Sequence, residues 1–223
     1  MERHFNMRTE VRLLFGPIAA GIFFFGVLGL SLLLPGYSHV HQDISTIGKI
    51  GSPERIPFSA VFIFYACSLL IFASGIFNAA GHARTSRLPA YLVAFMGLTQ
   101  IGIAIFATPH PFHNMFGISS MVGFLAPIAM AVSWKGVRLA RTLVVVSYVL
   151  GLLVLGCIIV SLSELYPQSQ LWQLVKSVPG LVQRSLAAAW LTWLFVSGIL
   201  MRRWESLSAK SHLSRGGASH EMV

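Results

Sequence analysis

The chain has 223 residues, of which 55% are hydrophobic and only 10% charged, against about a quarter charged in ordinary soluble domains. A mean hydropathy of +0.73 over the whole length excludes a soluble globular fold. The net charge of +9 does not indicate a nucleic-acid partner, because the basic residues form no face or stripe and fall in the gaps between apolar runs.

Six apolar runs predict an all-α polytopic membrane protein with helices at about 11–35, 57–80, 88–107, 114–134, 138–162 and 181–201. Each is close to the roughly 20 residues that cross a bilayer core. The first run, "VRLLFGPIAAGIFFFGVLGLSLLLPG", follows Arg3, Arg8 and Arg12. It is longer than the apolar region of a signal peptide and lacks an A-x-A cleavage site, so it reads as a retained helix. Pro35 and Gly36 close it, and Pro17 predicts a kink within it. Pro53 and Pro57 bracket the start of the second run. Pro109 and Pro111 predict a non-helical turn in "TPHPFHN", and Pro127 a kink in the fourth run. Between Pro167 and Pro179, "QSQLWQLVKSV" predicts a short interfacial stretch with Trp172 as anchor. Gly16 with Ala20, and Ser119 with Gly123, predict close helix approach. Asn78 and Gln100 are expected as interhelical hydrogen-bond partners. Residues 1–10 read as a cytoplasmic N-terminus and residues 202–223 as a flexible basic cytoplasmic tail.

The positive-inside rule orients the spans. With the N-terminus cytoplasmic, the inner segments hold twelve of the sixteen Lys and Arg. The outer segments hold only Lys49, Arg55, Lys176 and Arg184. Both termini are therefore expected in the cytoplasm, with the protein in the cell membrane.

That topology places His39, His41, His110 and His113 on one outer face, together with Asp43, Glu54 and Glu164. His4, His82, His212 and His220 fall on the other. In an extended segment alternate residues point the same way. His39, His41 and Asp43, with His110 or His113, then form a candidate zinc set of nitrogen and oxygen ligands with an open position. The opposing reading is that these are polar loop residues, since HxH has no distinctive ligand spacing and no HExxH or CxxC accompanies it. Haem is disfavoured, because the histidines lie at helix ends on one side and not as a facing mid-membrane pair. Ser45 beside His and Asp has the residue types of a nucleophilic site, but no GxSxG surrounds it, and it also fits a turn or cap in "DIST". No span carries Lys or a chain of ionisable residues, which argues against a retinal protein, pump or ion-coupled carrier. Cys67 and Cys157 lie in apolar runs and read as small hydrophobes. Four outer imidazoles titrate near pH 6–7 when unperturbed, so the face is a candidate pH sensor.

The first outer segment, "YSHVHQDISTIGKIGSP", carries a family resemblance through Tyr37, Gln42, Ile44, Ser45, Gly48 and Pro53. With "FATPHPFHNMFG" and the six-span layout, the chain resembles the bacterial and archaeal membrane family known as domain of unknown function 998, over most of residues 10–200. More distantly it resembles the six-span DRAM/Frag-like membrane family, through Ile44, Ser45, Gly48, Pro53, Glu54, Ile56 and Phe58. The second resemblance implies a role in membrane and lipid homeostasis. The first implies that His113 and the Ile-Ser/Gly/Pro frame matter more than His39 and His41.

Together these features predict a non-enzymatic integral membrane protein. Its outer cap, residues 37–57 with His113, binds a lipid headgroup or a partner through Tyr37, Gln42, Ser45, His113 and Asn114. The alternatives are a membrane-embedded hydrolase, with or without zinc, acting on a lipid at the outer cluster, and a small-molecule transporter.

Overall fold

A computed structural model describes residues 9–218, with side chains through residue 209. The start of the expected cytoplasmic N-terminus with Arg3, His4 and Arg8, the end of the expected tail with His220, and the side chains of Lys210, His212 and Arg215 lie outside the described residues. Among the described residues, the protein is all-helical with six apolar spans. A hydrocarbon core leaves no water for backbone N–H and C=O groups, and helices satisfy them internally.

The long helices are α1 (Phe15–Leu33), α2 (Arg55–Ala83), α3 (Leu88–Ile105), α4 (Pro111–Gly123), α5 (Ala126–Ser133) and α6 (Arg141–Leu162). A short α7 (Gln170–Val175) and the long α8 (Pro179–Ala218) complete the chain. α4 and α5 together make one span, Pro111–Ser133. Proline sits in the first turn of α3, α4 and α5, where its missing N–H is no loss. This corrects the expected fourth helix. Pro111 opens it instead of delaying it, and the His110 side chain caps it by accepting from the Phe112 amide at 3.2 Å. Pro127 accounts for the α4–α5 break.

Neighbours in space follow the chain from α1 through α2, α3 and the α4–α5 pair to α6, and α8 then packs on both α6 and α1. The six spans thus form a closed ring. Gly16 makes the closure tight, since a Cβ there would lie 2.7 Å from the Leu194 carbonyl of α8. The interior is aromatic, and two of its indoles are satisfied across helices. Trp190 Nε1 donates to Tyr65 Oη at 2.8 Å and Trp193 Nε1 to Ser147 Oγ at 3.0 Å. Outward-pointing side chains such as Phe25, Phe64, Leu152 and Ile159 are exposed and apolar, as a lipid-facing surface requires. The expected Asn78 and Gln100 helix bridges do not form. Asn78 has no hydrogen bond among the described residues, and Gln100 Nε2 donates to Met96 Sδ on its own helix.

α8 does not stop near residue 201. Trp204 and Glu205 are buried, and burial of these two carries the helix through what composition reads as tail. Trp204 Nε1 donates to the Arg138 carbonyl at 2.9 Å, and His82 Nδ1 meets Glu205 Oε1 at 2.9 Å.

Candidate functional site

Residues 34–54 fold over one end of the ring as a cap. Its frame is internal. Gln42 Oε1 accepts from the Ser38 amide at 2.8 Å, and the Gln42 amide donates back to the Ser38 carbonyl at 2.9 Å. Tyr37 Oη donates to the Asp43 carbonyl at 2.9 Å. A short 3-10 turn, Ile44–Thr46, follows. Ile44 and Ile47 then bury themselves against Phe58 and Phe62 of α2. Gly48 has no room for a side chain, because a Cβ would lie 2.1 Å from the Phe58 ring.

The cap is fastened to the start of α8. Arg184 Nη1 donates to the carbonyls of His39 and Gln42, both at 2.9 Å. Its Nη2 donates to Tyr37 Oη. Gln183 Oε1 accepts from the Ile44 amide at 2.6 Å. Beneath them Gly180 lets the two backbones touch, since a Cβ there would lie 2.3 Å from the Gln42 carbonyl and 2.7 Å from that of His39. On the other side, the Ile50 amide donates to the Thr108 carbonyl at 2.9 Å.

Under this roof lies a cavity of about 530 Å³, lined from every span of the ring. Its polar side carries Asp43, Ser45, His113, Asn114, Ser161, Glu164 and Gln183, and its apolar side includes Phe23, Phe62, Phe124 and Trp190. No Lys or Arg lines it. Ser45 and Ser161 make no side-chain hydrogen bond among the described residues, and the Ser161 hydroxyl is a buried atom without a partner. His113 is buried, and its Nδ1 lies 2.8 Å from the Phe106 carbonyl. A carbonyl only accepts, so Nδ1 carries the proton, and Nε2 of the neutral ring is an acceptor.

Of the expected binding residues, Ser45, His113 and Asn114 therefore share one cavity. Tyr37 and Gln42 do not line it and build the roof instead. The expected zinc set is not assembled. Among the described residues no three His, Cys, Asp or Glu side chains are grouped to hold a metal ion. His39 Nε2 meets Ser31 Oγ at 3.3 Å, and His41 Nδ1 donates to the Ser177 carbonyl at 2.7 Å. His110 caps α4, and His113 turns to Phe106. The alternation of His39, His41 and Asp43 fails to converge because Ser38–Gln42 is a hydrogen-bonded turn, not an extended strand. No hydrogen bond joins Ser45 to His113 among the described residues. Burial pushes the Asp43 carboxyl above its ordinary range, and Arg184 opposes this only in part. Burial likewise raises the Tyr37 phenol, against the pull of Arg184.

Sequence reasoning missed Arg184 as the centre of the site. A single Arg at the outer end of a helix reads as one weak topology charge. Its signal was the neighbouring Gly180, which marks a close backbone approach only once the partner segment is known. Trp172 lines the cavity.

The fold and site define a class: a multi-pass helical membrane protein with a closed ring of six spans and a roofed, partly polar cavity at one end. The chain belongs to the family described as Protein of unknown function (DUF998), whose model matches residues 17–200. No curated protein and no solved structure matches it.

Proposed function

We propose that the protein binds the head of an amphiphile in the capped cavity and serves membrane homeostasis or assembly, without catalysis. The observation that carries this reading is the pairing, in one cavity, of the buried Ser161 hydroxyl, which has no partner among the described residues, and the polar side chains of Ser45 and His113 with an aromatic floor at Phe62, Phe124 and Trp190. Buried polar atoms normally have partners, and a cavity of this composition offers them to a ligand that is polar at one end and apolar at the other. The lining has two carboxylates, Asp43 and Glu164, and no Lys or Arg. It therefore suits a head bearing an ammonium or hydroxyl group, not a bare anion. The excess of basic residues at the opposite end of the ring supports reading the cap as the outer face, in a bacterial inner membrane.

The test is a thermal-stability titration of purified protein with lipids that share acyl chains and differ in headgroup. An amine- or polyol-headed lipid stabilises the wild type saturably. Each neutral hydrogen bond contributes about 1 kcal/mol, so Ser45→Ala with His113→Gln weakens binding by about thirtyfold. Stabilisation identical for every headgroup, or unaltered in the double variant, refutes the reading.

A further inference from the structure

The opposite end of the ring holds a second, larger cavity of about 770 Å³. Arg84 enters it from the end of α2 and Arg138 from the loop between α5 and α6. Neither guanidinium has an ion pair or hydrogen bond with a described residue. Two cations left unpaired in one concavity favour an anion, and the planar fork of Arg matches the paired oxygens of a phosphate.

The walls are held in place. α2 ends in a Schellman arrangement, with the Arg84 amide donating to Gly81 and the Thr85 amide to Ala80, at 3.2 and 3.0 Å. Such an ending usually uses glycine, yet Arg84 takes the left-handed backbone at φ 52°. Leu139 also has positive φ, 65°, and it too lines the cavity. A non-glycine residue in this region is held there at a cost of about 1 kcal/mol or more. Three cross-element hydrogen bonds hold it: Thr85 Oγ1 to the Ser133 carbonyl, Trp204 Nε1 to the Arg138 carbonyl and His82 Nδ1 to Glu205. Glu205, the one carboxylate on the wall among the described residues, is hydrogen-bonded by His82, and the two arginines outnumber it. Trp204, Val137 and Leu139 add an apolar side.

We propose that this cavity binds a phosphate group, carried by a lipid headgroup or by a soluble phosphate ester, between Arg84 and Arg138. It is a second site, distinct in place and in charge from the capped cavity.

The experiment titrates detergent-purified full-length protein, at fixed ionic strength, with short-chain phosphatidic acid and separately with glycerol 3-phosphate. Thermal midpoint is followed for wild type, Arg84→Gln, Arg138→Gln and Lys135→Gln. Saturable stabilisation of the wild type, weakened at least tenfold in either arginine variant and little changed in Lys135→Gln, supports the site. A response to the lipid alone identifies a headgroup, and a response to glycerol 3-phosphate identifies a soluble ester. Absence of any saturable response to both compounds overturns the proposal. So does equal weakening by Lys135→Gln, which marks diffuse surface charge. Arg84 and Arg138 are read separately, so a folding defect in one variant leaves the other to decide.

Discussion

Replacing Arg184 by Met keeps most of the aliphatic stem and removes the fork that fastens the cap. Two of its bonds cross from α8 to cap carbonyls, at His39 and Gln42, each 2.9 Å. A hydrogen bond to a charged group contributes about 1.5–3 kcal/mol, and less where water competes. The bond to His39 is exposed and the one to Gln42 half-buried, so about 1 and about 2 kcal/mol are reasonable shares. The sum of about 3 kcal/mol raises the opening equilibrium of the cap by about a hundredfold. Hydrogen exchange in lipid nanodiscs reads this directly. The amides of Ile44 and Ile50, bonded to Gln183 and Thr108, lose about two orders of magnitude of protection. Those in the middle of α3 do not change. Arg184→Lys restores only part of the loss, because an ammonium cannot span the Tyr37, His39 and Gln42 oxygens as the fork does. Cap protection within about threefold of wild type in Arg184→Met removes the reasoning.

Three further outcomes follow from the same geometry. Gly180→Ala lowers the thermal midpoint by the equivalent of about 1–3 kcal/mol, because its Cβ meets the cap backbone; the same change in an uncrowded helix raises stability by about 1 kcal/mol, so a higher midpoint contradicts the packing. Asp43 has a folded-state pKa above its ordinary 3.8, so its carboxyl favours the fold when protonated. Relative to Asp43→Asn, the wild type therefore loses stability as pH rises from about 4 through that raised pKa and is level above it; a wild type that gains on the variant over this range refutes the sign. His82→Ala leaves the buried Glu205 carboxylate without the His82 partner and destabilises by about 2 kcal/mol or more; adding Glu205→Gln recovers part of the loss, and strictly additive effects in a double-mutant cycle contradict the pairing.

The spans were legible because each is an apolar run of bilayer length, a signal that depends on no contact. Their ends were less so. Pro111 was read as a breaker, though proline is equally at home in a first turn, and only the His110 cap decides between the two. Trp204 and Glu205 looked like tail because burial by Arg138 and His82 is invisible along the chain. At the site, Tyr37, Gln42, Ser45 and His113 were found as one region, yet their roles divide between roof and cavity wall. The histidine alternation suggested a metal because it was read as a strand. The turn closed by Ser38 and Gln42 sends the rings to separate partners.

The closed ring also sets an order of assembly. α1 and α8 are neighbours in space but far apart in sequence, and long-range closure of this kind comes late in folding. A chain inserted from its N-terminus first makes an arc of five spans, open along the edge that α8 later fills. Until then the cap has no Arg184, the cavity has no Trp190 wall, and its polar lining faces lipid. The capped cavity is thus closed only when α8 packs against α1 and α6.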